Sequence, residues 1–100
     1  MPILTGPQCR AARALIEWSV EQVSRESGVD ARAIREFEAR VTDPGEEARR
    51  RLCVALEKGG AVLIPENGGG VGVRLKYAGR DVRGVNKWES EGGRAGEDDV

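Results

Sequence analysis

Val20-Glu21-Gln22-Val23-Ser24-Arg25-Glu26-Ser27-Gly28-Val29-Asp30-Ala31-Arg32-Ala33-Ile34-Arg35-Glu36-Phe37 is the stretch that decides the fold. Two helices that meet at a sharp turn need a small residue where they touch, a glycine at the turn, and apolar residues that pin both to a core. Val23 takes the core position, Ser24 the crossing, and Gly28 the turn four residues later. Val29, Ile34 and Phe37 then fix the second helix. Ser19, followed three residues on by Gln22, has the spacing of a capping box and opens the first helix of the pair. Asp30 is a strong cap for the second, with Val41 expected to join Ile34 and Phe37 on its inner face.

Outward from this pair the pattern stays helical. Thr5 to Gln8 opens a helix that carries Cys9, Ala12, Leu15 and Ile16 on one face, with Pro7 suited to its first turn and Trp18 at its close. Thr42-Asp43-Pro44-Gly45 reads as a turn that caps a fourth helix over 46–58, with Ala48, Leu52, Ala55 and Leu56 inward and Gly59 as the stop. Beyond Gly59-Gly60 the period changes. Residues 62–64 and 71–76 read as two short strands joined by Pro65-Glu66-Asn67-Gly68-Gly69-Gly70. The expected fold is mainly α: four or five helices and a C-terminal β-hairpin. Residues 1–77 make the folded domain, with the hairpin at 61–76, and Tyr77 ends it. Residues 78–100 form a Gly-rich acidic tail expected to be disordered, with almost no apolar anchor but Val82, Val85 and Trp88.

One hundred residues support one modest core. No apolar run, Ala61-Val62-Leu63-Ile64 among them, approaches the roughly 20 residues that span a bilayer, and the N-terminus lacks a secretory pattern. A cytoplasmic location and no membrane partner are expected. Cys9 and Cys53 stand alone in apolar-periodic segments, and there is no histidine to complete a zinc site. With no paired-carboxylate pocket or activated nucleophile in view, neither an enzyme nor a cofactor is expected. The glycine-rich loop lacks the Lys-Ser/Thr and the following helix of a phosphate cradle. Sixteen Lys and Arg against seventeen Asp and Glu leave a net charge of -1, which gives no global attraction to phosphate.

The segment from Val20 to Phe37 resembles the helix-turn-helix of the XRE family, the lambda-repressor/Cro kind, and the likeness extends over residues 8–58. Gln8-Cys9-Arg10-Ala11-Ala12-Arg13-Ala14-Leu15 with Trp18-Ser19, and Ile64-Pro65-Glu66-Asn67-Gly68-Gly69-Gly70 with Gly72-Val73-Arg74-Leu75, look like the opening and the closing hairpin of a small-regulator subgroup common in alphaproteobacteria. The resemblance implies a lambda-repressor-like domain whose second motif helix enters the DNA major groove.

Several positions depart from that family. Val20 stands where a phosphate-bracing glutamine is usual, and Asp30 and Ala33 replace polar residues at the start of the recognition helix. Arg40 takes the place of a glycine, and Val41, Thr42 and Asp43 replace the basic residues that usually follow. Across residues 19–40 there are four basic side chains (Arg25, Arg32, Arg35, Arg40) and five acidic ones (Glu21, Glu26, Asp30, Glu36, Glu38). Phosphate neutralisation supplies most non-specific affinity for DNA, so these exchanges weaken it.

Two functions follow. The favoured one is an antiregulator that binds and inhibits another transcriptional regulator, similar to the antiactivators of quorum-sensing circuits on conjugative elements. Its surface would hold Val20, Glu21, Asp30, Ala31, Arg32, Ala33, Arg35, Glu36 and Arg40. The alternative is a DNA-binding repressor, a homodimer in which Arg32 and Arg35 touch bases. The bland reading of Arg32 is an i, i+4 surface ion pair with Glu36.

Overall fold

The computed structural model describes residues 4–76. Four helices run in chain order, α1 (Gly6–Ile16), α2 (Val20–Ser27), α3 (Ala31–Glu38) and α4 (Glu46–Lys58). Strands β1 (Ala61–Ile64) and β2 (Gly72–Leu75) follow as one antiparallel pair, with Ala61 opposite Leu75 and Ile64 opposite Gly72. Among the described residues there is no fifth helix. Tyr77 and the tail over 78–100 lie outside them.

Local chemistry sets these boundaries. Thr5 caps α1 in a full capping box: its side chain accepts from the Gln8 N–H, and the Gln8 side chain accepts from the Thr5 N–H. At α2 only half of the expected box forms, with Ser19 Oγ accepting from the Gln22 N–H. The Gln22 side chain goes instead to Arg25. Gly28 ends α2 with φ 77, a left-handed conformation that glycine adopts without steric cost. Asp30 then caps α3 by accepting from the N–H groups of Arg32 and Ala33.

Both α1 and α3 end in a Schellman arrangement with a non-glycine residue in the left-handed position. At α1 this is Glu17 (φ 61), after which the Trp18 N–H reaches the Arg13 carbonyl. At α3 it is Arg40 (φ 62), with the Arg40 N–H bonded to the Phe37 carbonyl and the Val41 N–H to the Glu36 carbonyl. The expectation that Val41 points inward is overturned by that turn. The chain leaves the helical path at Arg40, and Val41 is 70% exposed. Leu15 is also outside the core at 39% exposure, because it lies at the margin of the face defined by Cys9, Ala12 and Ile16. The segment before α4 differs too. Gly45 is the N-cap with no side-chain bond, and Asp43 pairs with Arg49 instead.

Ile34, Leu52, Leu56, Val23 and Cys9 are the largest fully buried side chains. Burial of each aliphatic among them stabilises by about 1.5–3 kcal/mol. Trp18, Val20, Ala33, Ala48, Val73 and Leu75 pack around them half-buried. Two close approaches lock the helices. A side-chain carbon on Gly6 would stand 2.2 Å from the Phe37 carbonyl oxygen, so the start of α1 rests directly on the end of α3. Gln8, itself buried, donates its amide to the carbonyls of Ile64 (3.1 Å) and Gly72 (2.9 Å) and fastens the hairpin to α1.

Candidate functional site

The outer surface of α2 and α3 brings most of the expected residues together. Helix α3 is short and amphipathic: Ile34 and Phe37 go inward, which leaves Arg32 and Arg35 outward. Neither arginine is free. Arg32 Nε is 3.1 Å from Glu36 Oε2, one turn on, with the Arg32 side chain 85% exposed. Arg35 pairs with Glu21 across the two helices. The Glu21 carboxyl is held below the usual range, first by a backbone hydrogen bond and then by Arg35.

Asp30 sits at the start of α3, where its Oδ2 accepts from Arg32 N at 3.0 Å and Ala33 N at 3.3 Å. The positive end of a helix is where an incoming phosphate would find N–H donors. Here a carboxylate of the chain already occupies two of them. Ala31 is half-buried, while Val20 and Ala33 are half-buried and pack against the core. Val20 therefore has a packing role at its position as well as an outer edge.

Arg40 keeps different company. It lines an open groove of about 460 Å³ with Thr5, Pro7, Phe37, Val41 and Val71, at the start of α1 and the end of α3. It forms no ion pair with any described carboxylate.

Glu38, counted by sequence among the acids of this segment, belongs to the interior. Its side chain is 7% exposed and is gripped by Arg13 of α1, with Nε to Oε2 and Nη2 to Oε1 both at 2.7 Å. Arg13 Nη1 also donates to the Trp18 carbonyl at 3.1 Å, and the Cys9 thiol donates to Glu38 Oε2 at 3.2 Å. Burial first, then the Glu38 charge, pushes the Cys9 thiol far up. Cys53 is shifted the same way, chiefly by burial. Thiols so disfavoured as thiolates are poor nucleophiles and poor metal ligands. Sequence reasoning missed this cluster. Its one local sign is that Arg13 stands four residues after Cys9, one turn along the buried side of α1.

With Glu38 removed from the five acids, four basic and four acidic side chains remain over 19–40, and Glu26 faces Lys58 of α4 at 3.8 Å. The surface mixes both signs: Arg32, Arg35 and Glu26 sit in ion pairs, Asp30 caps α3, and Arg40 has no ion pair among the described residues. Among the described residues no group of three or more His, Cys, Asp or Glu could hold a metal ion, and no helix is long and apolar enough to cross a membrane. No protein-family model matches the chain, and no curated protein matches it.

Proposed function

We propose that this chain controls transcription as an antiregulator, a lambda-repressor-like helix-turn-helix scaffold that captures another regulator through the outer surface of α2 and α3. The observation that carries the reading is the pairing of both outward arginines of α3 with carboxylates of the same surface, Arg32 with Glu36 and Arg35 with Glu21. An exposed pair such as Arg32–Glu36 is worth only about 0.2–1 kcal/mol, so breaking it would not by itself prevent DNA reading. The carboxylates are the greater obstacle. Glu21, Asp30 and Glu36 stay on the surface after any rearrangement of the arginines and would face the phosphates.

The same charges suit a different partner. A DNA-binding regulator presents a basic surface, towards which Glu21, Asp30 and Glu36 steer the encounter, while Arg32 and Arg35 can turn to acids on its rim. Inhibition then needs only occlusion of that basic surface and no chemical step.

The test is a titration of the full chain with fragmented genomic DNA at low salt, followed by amide chemical shifts, beside a reporter assay in cells for Asp30→Lys and Glu36→Lys. Unchanged shifts with DNA and loss of inhibition in both variants are expected. Shifts gathered at Arg32, Arg35 and the start of α2 would overturn the reading in favour of a DNA-binding repressor. Full inhibitory activity in both variants would overturn it as well.

A further inference from the structure

We propose that the groove between α1, α3 and the hairpin is a docking site for this chain's own C-terminal segment around Trp88, with Arg40 as the cation that receives its acidic residues. Three observations converge there. Val41 and Val71, two of the four large apolar side chains exposed among the described residues, line this one groove, with Pro7 and Phe37 beside them. Arg40, on its rim, makes no ion pair with a described carboxylate, whereas the groove's acid, Asp43, is held by Arg49. Arg40 is also the left-handed residue, φ 62, of the turn that ends α3, a place where glycine is usual. A long cation kept at such a place, with no ion pair among the described residues, points to a use for that side chain.

The groove therefore selects an apolar or aromatic side chain followed by negative charge. Trp88-Glu89-Ser90-Glu91 supplies that order. Reach is ample. Val71 lies at the groove and Lys76 ends the described chain, five residues or roughly 17 Å further along the hairpin. The twelve residues from Lys76 to Trp88 span up to about 40 Å when extended, more than twice the return distance. The segment is tethered, so it meets the groove at high effective concentration and needs little intrinsic affinity.

The experiment is nuclear magnetic resonance on the full chain. Nuclear Overhauser contacts are expected between the Trp88 ring and the methyl groups of Val41 and Val71. Trp88→Ala should shift the amides of Arg40, Val41 and Val71. Val41→Asp and Arg40→Glu, both exposed positions that leave the core intact, should each abolish the ring-to-methyl contacts. Absence of those contacts, together with groove amides unmoved by Trp88→Ala, would overturn the proposal. So would contacts found only between differently labelled molecules in a mixed sample, since the occupant would then be a second copy.

Discussion

Arg13 of α1 and Glu38 of α3 face each other through two parallel 2.7 Å bonds, inside a cluster completed by the Cys9 thiol and the Trp18 carbonyl. A two-pronged pair fixes distance and orientation together, so it sets how α1 lies on the end of α3. The same junction carries the Gly6–Phe37 contact and the groove that contains Arg40.

Breaking that pair should be far costlier than replacing it. Glu38→Ala leaves the Arg13 guanidinium, mostly shielded from water, without its acid, and should destabilise by about 3 kcal/mol in urea unfolding. The double variant Arg13→Met/Glu38→Leu removes both charges and should recover most of that loss. A double variant less stable than Glu38→Ala would show that the pair contributes more than its desolvation costs.

Gly6→Ala should disturb the junction from the backbone side. Its new methyl group would stand 2.2 Å from the Phe37 carbonyl oxygen, and neither helix can move without disturbing the Arg13–Glu38 pair. Overpacking of this kind costs about 1–3 kcal/mol. Thermal unfolding of the variant measures it, and an unchanged midpoint would mean that the two helices slide freely.

Both thiols should resist labelling in the folded protein. Cys9 and Cys53 are buried with their thiols shifted upward, so an aromatic disulfide reagent at neutral pH should react only as fast as the chain opens. The rate should rise steeply with urea near the unfolding midpoint. Rapid reaction of either thiol in native buffer would contradict its burial.

Much of this architecture was legible because the signals are local. Gly28 with Val23 and Ile34 around it announces two helices and a turn, and the Gly59-Gly60 break marks the end of α4. The Arg32–Glu36 pair follows from spacing alone. What was not legible depends on contacts distant in sequence. Arg35 meets Glu21 fourteen residues away, Glu38 meets Arg13 twenty-five away, and Gln8 reaches the hairpin more than fifty away. The misplacement of Val41 has a related cause. A helical period continues to place residue 41 beneath Phe37, and only the left-handed turn at Arg40 takes it away.

Acid should loosen the protein through carboxylates whose folded-state affinity for protons is reduced. Glu47, held by Arg50 and Arg51, is lowered from 4.5 to about 2, and Asp43 and Glu21 move in the same direction. A group with a depressed folded pKa contributes stability that is complete above its unfolded value and is lost as pH falls through the folded one. Unfolding midpoints should therefore decline between about pH 4.5 and 2. The decline should be shallow in high salt, because these groups are exposed. Arg50→Gln/Arg51→Gln should return the Glu47 titration, followed by carboxyl carbon shifts, towards 4.5.

Arg40 permits a measurement that separates backbone from side chain. Glycine avoids the left-handed penalty of roughly 1–2 kcal/mol but adds freedom to the unfolded chain, so Arg40→Gly should stabilise by about 0.5–1 kcal/mol if the guanidinium does nothing. Docking of the Trp88 segment changes that sum, since the glycine variant also loses the cation opposite Glu89 and Glu91. The gain from Arg40→Gly should consequently be larger in a Trp88→Ala background than in the natural chain. The difference between the two gains is the coupling of Arg40 to Trp88, read from urea unfolding of the four proteins. Equal gains would mean that the two residues do not meet, and the left-handed turn at Arg40 would then serve only to end α3.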